Sequence, residues 1–88
     1  METVQLFIGS DNDTGLLDTP CIENIVSKHH AGFTIWQAVG HWKGHQEATA
    51  VVLVSGDNDT IADTVRTLKS ELRQDAIGVQ HMSAMTFE

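Results

Sequence analysis

One short motif occurs twice in the 88 residues, and it limits the fold more than any other feature. Phe7-Ile8-Gly9-Ser10-Asp11-Asn12-Asp13-Thr14 is echoed 46 residues later by Leu53-Val54-Ser55-Gly56-Asp57-Asn58-Asp59-Thr60. Each copy runs from a strand-like apolar end into a cluster of turn formers and helix caps. Helical periodicity follows each copy. A strand–loop–helix unit used twice, with a further strand after each helix, is a βαββαβ duplication. The expected fold is therefore an α+β, ferredoxin-like sandwich with a four-stranded antiparallel sheet and two helices on one face.

The periodicities along the chain agree. Thr3–Gly9 alternates, with Val4, Leu6 and Ile8 on one face and Gln5 and Phe7 on the other. Asp18 or Thr19 followed by Pro20 marks a helix start. Ile22, Ile25, Val26 and His29 form its stripe, and Gly32 stops it. Phe33–Trp42 alternates again: Phe33, Ile35 and Val39 point one way, Trp36, Ala38 and Trp42 the other. Lys43-Gly44 is a hairpin turn signal. The next strand, about Gln46–Ser55, contains the unbroken apolar run Val51-Val52-Leu53-Val54, which suits a central strand buried on both faces. A second helix is expected over 57–73, with the stripe Ile61, Val65, Leu68 and Leu72. Asp75–Met82 reads as the fourth strand.

A chain of 88 residues is one domain, spanning 1–88, and its core is thin. A net charge of −7 argues against a nucleic-acid partner, which needs a basic face. Four of the five bases, Lys28, Arg66, Lys69 and Arg73, fall near the C-terminal ends of the expected helices, where they complement the helix dipole. Cys21, the single cysteine, excludes a disulfide within the monomer. That thiol, with no signal-like start and no long apolar run, points to the cytoplasm and away from a membrane. Two helices cover one sheet face, so the face with Phe7, Trp36, Ala38 and Trp42 needs another partner. The expected partner is a second copy of the chain.

The hairpin Gly40-His41-Trp42-Lys43-Gly44-His45-Gln46-Glu47, with its aromatic–x–Gly–x–x–Glu turn, resembles the PII-like and CutA-like families of small ferredoxin-like trimers. The resemblance implies a homotrimer. The long loop of PII signalling proteins is replaced here by a tight turn, and the Pro-Tyr-Glu stretch of CutA-like chains is missing. A second resemblance is to phage-encoded S-adenosylmethionine lyases, small PII-like trimers with sites between subunits. It implies a catalytic glutamate at Glu47. Those enzymes also use a tyrosine, and this sequence contains none.

The βαββαβ topology brings Ser10–Thr19 to the edge occupied by His41–Glu47. A ligand site there would combine Ser10, Asn12, His41, Lys43 and Glu47 with the stacking surfaces of Trp36 and Trp42, beside the N–H groups that open the first helix. The acids Asp11, Asp13 and Asp18 would repel phosphate, which a bound metal, or a zwitterionic or ribose-rich ligand, would relieve. Equally, those acids serve as turn formers and caps. Glu47 reads either as a general base or as a cross-strand partner of Lys43 or His41. His41 and His45 flank the turn, yet no three-ligand metal spacing is evident, so no metal is assigned and the cofactor is unknown. Cys21, near a helix N-terminus, is expected to have a lowered thiol pKa.

Three functions fit. The first is an oligomer that captures a nucleotide-like ligand at clefts between subunits, as a phage-type sponge for a host signal would. The second is an S-adenosylmethionine lyase. The third is a CutA-like structural or metal-tolerance trimer. The missing tyrosine favours binding over turnover, and the missing ligand cluster favours it over the metal role.

Overall fold

The computed structural model describes residues 1–11 and 13–88; Asn12 lies outside the described residues. The chain runs β1 (Glu2–Gly9), α1 (Thr19–His29), β2 (Thr34–Trp42), β3 (His45–Gly56), α2 (Asn58–Glu71) and β4 (Gly78–Met82). The strands form one sheet of order β2-β3-β1-β4, antiparallel at every neighbour. This is the ferredoxin-like α+β sandwich that the repeated motif implies. β3 is central, and β1 and β2 run parallel on either side of it. The fourth strand is shorter than expected and begins at Gly78.

The register explains the core. Leu6 pairs with Val52, and Val52 with Ile35; Val4 pairs with Val54, and Ile8 with Ala50. Paired residues share a face, so these side chains form one apolar layer. Ile22, Ile25 and Val26 of α1 and Ile61 and Leu68 of α2 close over it.

The two motif copies make the same local bond and then diverge. Asp57 accepts from the Thr60 N–H at 2.8 Å, and Asp11 accepts from the Thr14 N–H at 2.9 Å. In the second copy this is the N-cap of α2. In the first, Gly15 follows at φ 70°, the chain turns away, and the helix starts later on its own cap, Asp18. Backbone N–H groups around both Asp11 and Asp57 hold their carboxyls below the usual range.

Two side chains depart from the expected helix stripes. The inward face of α2 is Ile61, Thr64 and Leu68, with Val65 only half-buried at its margin. The inward histidine after α1 is His30, not His29. His29 bonds back to the Ile25 carbonyl through Nδ1 at 2.9 Å. His30 is extended at φ −135°, buried, and 2.8 Å from Thr64 Oγ1 through Nε2. The Thr64 hydroxyl already donates to the Thr60 carbonyl at 2.8 Å, so His30 Nε2 is the donor to Thr64. Gly56 leaves the room, because a β-carbon there would sit 3.0 Å from the imidazole. The α2 end also differs: Arg73 lies past Glu71, at φ 53°, and reaches Asp11 at 3.3 Å.

Burial, then the neighbouring His29, hold the His30 pKa below its ordinary 6.5. The unfolded chain therefore binds more protons than the folded one between the folded value and 6.5. Stability is full above 6.5 and falls as pH drops through that window. Denaturant midpoints measured downward from pH 7 should show this loss, and His30→Gln should flatten it. A wild-type midpoint independent of pH across the window would contradict a buried, neutral His30.

Candidate functional site

Glu47 sits on β3 opposite Gly40 of β2, on the sheet face away from the helices. Its carboxylate lies across the end of β1. A β-carbon on Gly9 would come within 3.2 Å of Oε1 and 3.4 Å of Oε2, and one on Gly40 would lie 3.6 Å from Cγ. Gly9 thus makes the bed in which this half-buried carboxylate lies, while Gly40 leaves room chiefly for the Thr49 hydroxyl and only passes the Glu47 stem. Ser10 Oγ donates to Glu47 Oε2 in a long bond of 3.5 Å. Ser10 is buried, and its carbonyl accepts from Gln74 at 3.3 Å. The expected meeting of the β1 end with the hairpin strand is real, and Ser10–Glu47 is its centre. Glu47 is not a cross-strand partner of Lys43 or His41, because Gly40 faces it. Gly9 and Gly40 were missed as site residues; a glycine inside an alternating strand was the available signal.

The other candidates spread outward from this pair. Trp42 pairs with His45, and Lys43 and Gly44 form a two-residue turn at φ 50° and 80°. Both central residues have positive φ, as a type I′ hairpin requires. The Lys43 ammonium rests 5.7 Å from the centre of the Trp42 ring, a cation–π contact. Trp42 remains 68% exposed, which leaves ring surface for stacking. His41 pairs with Gln46 and so points to the helix side, whereas His45 points to the open side. The two flanking histidines therefore do not converge. Trp36 and Trp42 share the open face but stand six residues apart, roughly 20 Å along a strand, so they cannot stack on one base.

The start of α1 is not an open anion site. Asp18 Oδ1 takes the Cys21 N–H at 3.1 Å. Burial, then Asp18 and Glu71, push the Cys21 thiol up, opposite to the lowering expected from its place at a helix N-terminus. Burial there outweighs the place at the helix end, and the Asp18 cap adds to it. Among the described residues, no three His, Cys, Asp or Glu side chains converge on a metal position.

The open sheet face is the larger feature. Cross-strand pairing places Phe7 beside Val51 and Val51 beside Trp36, with Leu53 one pair further along. Phe7 and Trp36 are 38% and 40% exposed. Met82, paired with Thr3, adds to the same face. At its lower end the tail folds back, and the Met85 N–H donates to Thr3 Oγ1 at 3.2 Å. At its upper end lie Gly9, Glu47 and Gly40. The apolar patch and the Ser10–Glu47 pair are thus continuous on one surface. Among the described residues, no helix is long and apolar enough to cross a membrane.

No protein-family model matches the sequence, and no curated protein matches it. Solved structures do. A DUF3240 family protein from Shewanella baltica superposes with a TM-score of 0.71 at 10% identity, covering 99% of this chain and 93% of that one. The divalent cation tolerance protein CutA1 from Thermus thermophilus gives 0.61 at 13% identity, covering 100% and 88%. The PII-like protein CutA from Nostoc gives 0.58 at 13% identity, covering 96% and 81%. At these identities the likeness is one of fold, and it extends over nearly the whole chain.

Proposed function

We propose that this chain, whose fold is that of the CutA-like and PII-like proteins, is a self-associating small-molecule-binding protein. The whole of 1–88 acts as one domain. Copies pack through the open sheet face as a trimer, and a nucleotide-like molecule is held at the clefts where Ser10, Glu47 and the hairpin meet the next subunit. The observation that carries this reading is the apolar row on the face the helices leave bare, where Phe7 and Trp36 stay exposed on either side of buried Val51 with half-buried Leu53 beside them. A surface of that kind marks an interaction site.

The ligand reading rests on what borders that surface. Glu47 supplies carboxylate acceptors suited to ribose hydroxyls or an amino group, and Trp42 offers an aromatic plane. Lys43 lies over Trp42, the other base at this edge, Arg73, is already paired with Asp11, and the chain carries −7 overall. That balance suits a zwitterionic or ribose-rich ligand better than a polyphosphate. Capture without turnover is the function proposed, in a reducing compartment that keeps Cys21 free.

Calorimetry against S-adenosylmethionine, adenine nucleotides, cyclic dinucleotides and ADP-ribose derivatives tests this directly. The wild type should bind one class and release it chemically unchanged on heating. Glu47→Gln should weaken binding by about 1.5–3 kcal/mol, the worth of a hydrogen bond to a charged group. Loss of S-adenosylmethionine turnover in Glu47→Gln, with binding retained, would instead make the protein a lyase. Silence across the panel would remove the ligand half of the proposal.

A further inference from the structure

A second concavity lies on the opposite side of the molecule, between α2 and β4. It is a trough of about 730 Å³ lined by Ile61, Ala62 and Val65 of α2 and Val79 of β4, with Arg66, Lys69 and His81 along it. Asn58 closes one end, and Ser70 and Gln74 the other. Its origin is the rotation of α2. Thr64, bonded to His30, takes the centre of the buried face, and Val65 is left at the margin facing β4. Val79 and His81 pair with Leu6 and Val4, so both project to the helix side, into the trough.

Its charge is the reverse of the chain's. Acids outnumber Lys and Arg twelve to five, yet the trough wall carries two of those five bases, one histidine and no carboxylate. Arg66 is tied to Asp63, one turn away on α2 and outside the wall. Lys69 makes no ion pair among the described residues. From Asn58 to Ser70 the helix rises about 18 Å, so the trough is long enough for an extended apolar body. The bases sit towards its Ser70 end, and the uncharged floor of Ile61, Ala62 and Val79 runs away from them.

We propose that the α2–β4 trough binds a small organic anion with an apolar body, its head at Lys69 and Arg66 and its body on Ile61, Val65 and Val79. The site is distinct from the Ser10–Glu47 cleft, which opens on the other face of the sheet, although Gln74 at the trough end also donates to the Ser10 carbonyl.

The test is a titration of the full chain by two-dimensional amide NMR, with octanoate as probe and octanol and octylammonium as controls. Octanoate should give saturable shifts in α2 and β4, centred on Val65, Lys69 and Val79. Octanol should bind more weakly and octylammonium most weakly. Lys69→Glu, at an exposed position, should lower octanoate affinity about tenfold, the scale of one charge-assisted hydrogen bond. No saturable shift with octanoate, or equal affinity for octylammonium, would overturn the proposal. So would octanoate shifts centred on Phe7, Trp36 and Val51. A change of sedimenting mass in Lys69→Glu would assign the trough to a subunit contact and overturn it as well.

Discussion

Replacing Trp36 by glutamate should dissociate the protein into folded monomers. Trp36 stands on the edge strand β2 of the open face, paired with Val51 of β3, and Val51 in turn with Phe7 of β1. In the proposed assembly that ring would be desolvated. A carboxylate in its place has no cation to meet, because the bordering side chains are apolar or neutral, and an uncompensated buried charge costs several kcal/mol. In the monomer the same position is 40% exposed, so a glutamate there is wetted and the fold survives. Sedimentation should fall to one chain of 9.6 kDa while far-ultraviolet dichroism stays that of the wild type. Trp36→Phe, which keeps an apolar ring, should retain the assembly. An unaltered sedimenting mass for Trp36→Glu would remove Trp36 from the interface.

The second large effect is on stability. Leu6 is fully buried at the centre of the core, on a strand paired on both sides, against Val52 and Val79. Leu6→Ala removes its buried methyl groups and leaves a cavity whose strand walls cannot collapse. The expected cost is about 2–5 kcal/mol. Small domains have a total stability of about 5–15 kcal/mol, and one of this size sits towards the low end. The variant should therefore melt far below the wild type or be unfolded at room temperature. Leu6→Met, close in volume, should cost less than about 1.5 kcal/mol. Equal denaturant midpoints for Leu6→Ala and the wild type would contradict the register that places Leu6 between Val52 and Val79.

The element order was legible because two periods carry it. Alternation marked β1 and β2, spacings of three and four marked the helices, and the unbroken run Val51–Val54 marked the central strand. The hairpin was legible from Lys43-Gly44, because few residue pairs accept positive φ twice in succession. The misreadings have local causes. His29 was placed inward by helical phase, but the helix ends there, and extended His30 turns in instead. Thr64 was passed over because an apolar stripe counts only apolar residues; its hydroxyl is buried by virtue of two hydrogen bonds. In the candidate site, β-pairing brought Ser10 to Glu47 as the topology implied. It separated Trp36 from Trp42, because sharing a face says nothing about distance along the strand. The Glu47 bed was hidden, since Gly9 acts through a side chain it lacks.

Copies of this chain should meet through the bare sheet face, and sedimentation equilibrium of the wild type measures whether they do. At micromolar concentration the mass should lie near three times the 9.6 kDa chain. A mass of one chain, unchanged as concentration rises, would contradict it.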